Sequence, residues 1–493
     1  MARRREKILF VTSELYPLIK TGGLADVSAS LPAALRAQGL DVRILLPGYA
    51  GVMAQLPYSR KAALISNVSA YFPDCTLRTT HAPGTNVPLM LLDCATLYNH
   101  ENGPYQDRAG NDLPYNYLRF GLLGYIAALL ASDDSPLTWR PDIIHCNDWQ
   151  SALAPAYMHY MAGKKTASLI TIHNLAFQGI FPAETLPWLG LPPESFQING
   201  VEYFGNVSFL KAALYYASAI TTVSPTYAKE IQHEPLGMGL QGLLTTRHDH
   251  LVGILNGIDE NAWNPGSDPY IPAHYDANNL ADKRHNKRAL QQRMGLAIDT
   301  SVPLLGVVSR LTHQKGIDLI IQIVPELIAR SCQLAILGSG DAANENALLQ
   351  FEQQFPGQVA VKIGFDEGLS HLITAGSDLF LMPSRFEPCG LNQMYSQRYG
   401  TPPIVGATGG LADTVTDCDA ESIETKKASG ILIHELSAKA LMAAIDRALT
   451  IYRNSDLWPE LQRTGMRRDF SWATSAQRYI ELYQSLLTNK ILH

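Results

Sequence analysis

The chain has 493 residues, of which 46% are hydrophobic and 17% charged, and its formal net charge is −6 from 39 basic and 45 acidic side chains. At roughly 100 to 200 residues per domain this predicts two to four domains, with ample apolar material for cores and too little charge to keep the chain unfolded. No global basic field is available to hold a nucleic-acid backbone, so nucleic acid is excluded as the expected partner. The six cysteines (Cys75, Cys94, Cys146, Cys332, Cys389 and Cys418) form no Cys-x-x-Cys pair. They predict neither a disulfide framework nor a zinc site, and they fit a reducing cytosol. The basic start, Met1 to Lys7, is followed by an apolar run of only Ile8 to Val11, too short for a secretion signal. No run of about 18 apolar residues predicts a membrane span, and the expectation is a soluble, cytoplasmic protein.

Short apolar runs ending in small or polar residues alternate with stretches of helical spacing, which predicts an α/β fold on parallel sheets. In chain order the predicted strands of a first unit are Ile8 to Val11, Val42 to Leu46, Ile143 to His145, Leu169 to Ile172 and Ala219 to Val223. A second series restarts the plan with Leu304 to Val308, Leu334 to Leu337, Leu379 to Met382 and Pro403 to Val405. Between them, Trp263 to Tyr275 carries Pro265, Gly266, Asp268, Pro269 and Pro272, which breaks both helix and strand. The expected division is therefore a first domain over 1–258, a hinge over 259–275 and a second domain over 276–470. Ser471 to Leu487 reads as an amphipathic helix too small to fold alone.

Five loops at predicted strand ends carry chemistry. Lys20-Thr21-Gly22-Gly23-Leu24-Ala25-Asp26-Val27 joins the first strand to a helical pattern. Its glycines let a ligand touch the backbone, the helix start offers N–H groups to an anion, and Lys20 adds a charge. A bare Gly-Gly serves equally as a packing turn, and the loop is neither Gly-x-Gly-x-x-Gly nor a Walker loop. Arg310 and Lys315 bring two cations into one loop after Val308, which suits a departing diphosphate. Glu387, in Arg385-Phe386-Glu387-Pro388-Cys389-Gly390-Leu391, can accept from sugar hydroxyls or cap the following helix, and the amides of Cys389, Gly390 and Leu391 can face a ligand. Thr408-Gly409-Gly410 repeats the first Gly-Gly loop and is expected to form a second anion cradle. Asp148, in His145-Cys146-Asn147-Asp148-Trp149, and His173, in Thr171-Ile172-His173-Asn174, close two further strands. In open α/β sheets ligands bind beyond the carboxyl ends of the strands, so a cleft between two domains is the economical expectation.

These loops, with His173-Asn174-Leu175-Ala176-Phe177-Gln178-Gly179 and Leu255-Asn256-Gly257-Ile258-Asp259 and in this chain order, resemble the bacterial and plant glycogen/starch synthase family over nearly the whole length. The resemblance implies a GT-B glycosyltransferase: two Rossmann-like domains around a cleft, with the segment 471–493 returning as a helix to the first domain. It implies transfer of glucose from ADP-glucose to the non-reducing 4-OH of an α-1,4-glucan such as glycogen or a maltooligosaccharide, with anomeric retention, release of ADP and no metal or organic cofactor. By the same resemblance Lys20, Gly22 and Gly23 contact the donor, and Arg310 and Lys315 stabilise the leaving diphosphate. Glu387 meets a sugar hydroxyl, His173 and Asp148 lie near the transferred glucose, and Cys389, Gly390, Leu391, Thr408, Gly409 and Gly410 lie near sugar and phosphates. Asn256 borders the cleft and Phe365 is the base-stacking position.

Many members of that family carry His where this chain has Asn147 and Tyr where it has Phe365; Tyr395, eight residues after Glu387, stands where many other retaining GT-B enzymes have an acidic residue. Two alternatives stay open at the level of sequence, and a third is disfavoured by it. One keeps the fold with UDP-glucose as donor or a phosphorylated sugar as acceptor, as in maltose-1-phosphate synthases. Another is a glucan-binding protein without catalysis, and the third, a glycogen phosphorylase, lacks here its length and its pyridoxal-phosphate lysine context.

Overall fold

The computed structural model describes residues 5–66, 72–100, 103–107, 109–161 and 166–488. The chain divides into two compact units, Met1–Gly257 together with Trp472–His493, and Ile258–Ser471.

The first unit contains β1 (Lys7–Val11), β2 (Asp41–Pro47), β3 (Arg60–Ile65), β4 (Cys75–His81), β5 (Pro88–Asp93), β6 (Ile143–Asn147), β7 (Ala167–Ile172), β8 (Ile180–Pro182), β9 (Glu202–Tyr203), β10 (Asn206–Ser208), β11 (Ala219–Thr222) and β12 (Leu251–Gly253). Among the described residues nine of these form one sheet in the order β12, β11, β7, β6, β1, β2, β5, β4, β3. From β12 to β5 every pairing is parallel. The continuous apolar runs follow from this: Ile8, Leu9, Phe10 and Val11 have no exposed surface, because a parallel strand is covered on both faces. β4 and β3 extend the sheet antiparallel; Cys75 and Leu77 are buried while Thr76, Arg78 and Thr80 are not, the alternation of a half-solvated strand.

The second unit contains β13 (Leu304–Val308), β14 (Gln333–Gly338), β15 (Val359–Ile363), β16 (Leu379–Met382), β17 (Pro403–Gly406) and β18 (Ile431–Ile433). They form an all-parallel sheet in the order β15, β14, β13, β16, β17, β18. Ile320 and Val324 of the helix Ile317–Ala329 pack into one core, and Leu372 and Ile373 of the helix Glu367–Gly376 into another. All the strands predicted in both series are present, most of them a residue or two longer than the apolar run.

The segment expected as a hinge, 259–275, is instead knitted into the second unit. The Asp268 carboxylate has no exposed surface and accepts from His371 Nδ1 at 2.7 Å, Tyr399 Oη at 2.5 Å and the Tyr270 amide at 2.8 Å. Trp263 is stacked between His371 and Tyr395, each ring centroid 3.8 Å away. Proline and glycine remove regular structure here, but one buried carboxylate and one sandwiched indole supply the anchorage that composition does not reveal.

Trp472–Leu487 is a helix whose Trp472, Ala476, Tyr479, Ile480, Leu482 and Tyr483 join the core of the first unit. It packs on the helix Gly23–Ala37, the Gln38 amide donates to Ala473 O at 2.8 Å, and Ser475 Oγ donates to Leu255 O at 2.7 Å. Tyr483 Oη lies 2.8 Å from His145 Nδ1. Residues 489–493 of the expected returning segment lie outside the described residues. No helix among the described residues is long and apolar enough to cross a membrane.

Candidate functional site

Parallel strands place all their carboxyl ends on one edge of a sheet, and each predicted site residue follows such an end. In the first unit Lys20 follows β1, Asp148 follows β6, His173 follows β7 and Asn256 follows β12. In the second, Arg310 and Lys315 follow β13, Phe365 follows β15, the loop from Glu387 to Leu391 follows β16, and Thr408 to Gly410 follow β17.

In the first unit, a Cβ built on Gly22 or Gly23 would meet nothing within 4 Å. Gly22 has φ −156°, so neither packing nor a left-handed backbone requires these glycines. What their missing Cβ leaves is open space against the main chain. Beside it Lys20 Nζ sits 2.8 Å from Asp26 and 5.3 Å from the Tyr16 ring centroid. Such an exposed pair contributes little, so the ammonium exchanges Asp26 for another anion at small cost.

The amides of this loop are less free than the sequence suggested. Glu14, 3% exposed, accepts from the Thr21 amide at 2.6 Å, Thr21 Oγ1 at 2.5 Å, the Gly22 amide at 3.2 Å and Tyr105 Oη at 2.7 Å. The cradle around Thr21 and Gly22 thus already holds an anion, the chain's own carboxylate. Sequence reasoning missed Glu14; the available signal was an acidic residue directly after β1 and just before the Gly-Gly loop.

Asp148 has φ +53°, a left-handed conformation that Asp tolerates better than most residues. Its Oδ1 accepts from the amides of His173 at 2.7 Å and Asn174 at 3.4 Å. Burial pushes its carboxyl up to about 7, the two amide hydrogen bonds pulling the other way. Burial pushes the His173 imidazole down to about 3, so it is neutral at physiological pH. Asn256 is buried, and its Oδ1 has no hydrogen-bond partner among the described residues.

In the second unit the two charged loops are laced together. Lys315 Nζ donates to Glu387 Oε2, which also accepts from Ser384 Oγ at 3.3 Å. Arg385 grips both oxygens of Asp318 at 2.7 Å and donates to His313 O at 2.6 Å, and its amide donates to Gln314 O at 2.9 Å. Arg310 is exposed, and its guanidinium donates to Gln314 Oε1 at 3.2 Å. The result is one held cation, Lys315, and one reaching cation, Arg310, at the end of the same strand. Phe365 is 83% exposed, a large ring open to solvent.

Thr408-Gly409-Gly410 departs from the expected second cradle. The Gly410 amide donates to Glu387 O at 3.1 Å and Pro388 O at 3.2 Å, and a Cβ on Gly409 or Gly410 would collide with the backbone of Glu387 or Cys389. This glycine pair is required by the close approach of two loops. It shapes the Glu387 loop and does not leave the Gly410 amide to a ligand.

The model of the starch synthase catalytic domain matches residues 7–246, and that of glycosyl transferases group 1 matches residues 290–460. A glycogen synthase of Nitrosomonas eutropha is 56% identical over 488 residues, covering 98% of this chain and 97% of its own. The chain belongs to the glycogen synthase family. A glycogen synthase of Aromatoleum aromaticum is likewise 56% identical, over 98% of this chain and 97% of its own. Among solved structures, the catalytic domain of starch synthase IV from Arabidopsis thaliana, bound to ADP and acarbose, matches with a TM-score of 0.85 at 32% identity over 98% of this chain and 100% of that one. A sucrose-phosphate synthase from Thermosynechococcus elongatus, TM-score 0.59 at 18% identity over 98% of this chain and 100% of its own, shares the fold.

As a glycogen synthase family member the chain is a glucosyltransferase with two parallel-sheet α/β domains of the GT-B class. In that light the two glycine pairs separate by physical cause: the first keeps space open, the second lets two loops touch.

Proposed function

We propose that the chain transfers glucose from ADP-glucose to the non-reducing 4-OH of an α-1,4-glucan, with retention at the anomeric carbon and release of ADP. The observation that carries this reading is the laced pair of loops after β13 and β16, which presents Lys315 and Arg310 at the sheet edge. Cleavage of a glycosyl diphosphate places negative charge on the leaving phosphate, and cations fixed before the reaction stabilise that charge without reorganisation. Ser384 holds the Glu387 carboxylate, which in turn orients Lys315; Arg310 supplies a fork for phosphate oxygens. Phe365 offers a face for the adenine, and the space before Gly22 and Gly23, with Lys20, receives part of the donor.

The starch synthase that this chain resembles binds ADP and acarbose, which supports a nucleotide and a glucan-like ligand here. Two amides hold Asp148 Oδ1 and burial favours the neutral carboxyl, both of which weaken it as a nucleophile. Retention then follows from departure and attack on one face, with the leaving phosphate accepting the proton of the incoming hydroxyl. No disulfide joins any of the six cysteines among the described residues, which suits a reducing cytosol.

The test is steady-state transfer to glycogen with Lys315→Ala. The expected result is a fall in kcat of about 100-fold or more, with a smaller change in KM. Wild-type turnover in this variant would overturn the assignment of the leaving-group site.

A further inference from the structure

Asn147 is the last residue of β6, immediately before Asp148, and has no exposed surface. Its Nδ2 faces two main-chain oxygens, Val11 O at 3.1 Å and His145 O at 3.4 Å. Its Oδ1 faces His173 Nε2 at 3.0 Å. A carbonyl oxygen only accepts, so the amide nitrogen belongs on the side of Val11 and His145; turning the amide over would set oxygen against two oxygens. With the amide so fixed, Oδ1 can only accept from His173, and Nε2 must carry a hydrogen.

Burial holds the His173 ring neutral, so a hydrogen on Nε2 leaves none on Nδ1. Nδ1 makes no hydrogen bond to any described residue. The ionisable groups around the ring are consistent with this state. Asp148 spends its carboxylate on the backbone amides of His173 and Asn174, and His145, itself held neutral by burial, is turned to Tyr483 and Thr171.

We infer that Asn147 is a positioning residue that locks His173 in the Nε2–H tautomer, so that Nδ1 presents a lone pair to a hydroxyl of the bound sugar. His173 then accepts a hydrogen bond and gives up no proton, and the site selects a ligand with a donor hydroxyl at that point. The inference rests on the proposed function only for the identity of the ligand; the tautomer itself follows from the geometry around Asn147.

The experiment is a two-bond proton–nitrogen correlation on the full chain labelled with ¹⁵N-histidine, recorded near pH 7, with His173→Gln assigning the signal. The expected result is a protonated Nε2 and an unprotonated Nδ1 at His173. A protonated Nδ1, alone or in an imidazolium, would overturn the inference.

Asn147→Leu removes the acceptor. The expected outcome is a mixture of His173 tautomers and a fall in kcat of about tenfold, the worth of one hydrogen bond to substrate, in protein whose thermal unfolding remains cooperative. An unchanged tautomer in this variant would also overturn it. Asn147→Asp keeps an acceptor but adds charge, so the His173 imidazolium is stabilised and activity should fall more steeply on the acid side than in wild type. Absence of any glucan transfer by a wild type that retains the Nε2–H signal would count against the proposed function and leave the tautomer standing.

Discussion

Substituting alanine at one glycine of each pair separates ligand space from packing. At Gly23, the first residue of the helix Gly23–Ala37, an added methyl meets nothing within 4 Å. Replacing a helical glycine by alanine stabilises by about 0.5–1 kcal/mol through the unfolded chain, so Gly23→Ala should unfold at or slightly above the wild-type temperature. If a donor occupies that space, the methyl sits where the donor touches the backbone. Overpacking of about 1–3 kcal/mol then raises the KM for ADP-glucose by roughly tenfold or more. At Gly410 the same methyl collides with the backbone of Cys389, and about 1–3 kcal/mol is lost from the fold instead. That corresponds to a fall in Tm of about 2–4 °C or more for a domain of this size. The assay is thermal unfolding and steady-state kinetics on both variants side by side. A Gly23→Ala protein with wild-type KM, or one that is markedly destabilised, would refute the claim that the first pair is kept open for a ligand.

Phe365→Ala should leave Tm unchanged, because the ring is 83% exposed, and raise the donor KM about tenfold, as expected for one lost base–aromatic stack of about 1–3 kcal/mol. Asp148→Asn changes the pH dependence of stability. Burial raises the Asp148 carboxyl from 3.8 to about 7, so the native state binds a proton that the unfolded state releases, and this group's contribution is lost as pH rises from about 4 through 7. Urea midpoints of the variant relative to wild type should therefore improve steadily across that window; a constant difference would contradict the raised carboxyl. Tyr483→Phe leaves His145 Nδ1 buried without its partner at 2.8 Å, and should lower unfolding stability by about 1–3 kcal/mol, read from urea titration.

The nine strands named from sequence were legible because parallel strands buried on both faces are written as uninterrupted apolar runs, as in Ile8 to Val11 and Leu379 to Met382, although β5, β12, β15 and β18, which also pair parallel, went unnamed. β3 and β4 were not, because Cys75-Thr76-Leu77-Arg78-Thr79-Thr80-His81 alternates polar with apolar and carries no motif. The segment Trp263 to Tyr275 reads as a linker by composition, and only the tertiary partners of Asp268 and Trp263 make it part of the second unit. The candidate site residues were expected in strand-end loops, and the strands do end just before them. Their division of labour was not legible: the two Gly-Gly loops look alike in sequence, yet Gly22 and Gly23 face empty space while Gly409 and Gly410 face the backbone of Glu387 and Cys389. Glu14, which fills the first loop's amides, lies outside the motif that drew notice.

The most direct test of the proposed function is incorporation of labelled glucose into glycogen from ADP-glucose and from UDP-glucose in parallel, with Lys20→Ala as the control. Polymer formed preferentially from ADP-glucose, and collapsing in the variant, is the predicted result. Preferential use of UDP-glucose would contradict the donor assignment, and polymer from neither donor would contradict the glucan synthase reading itself.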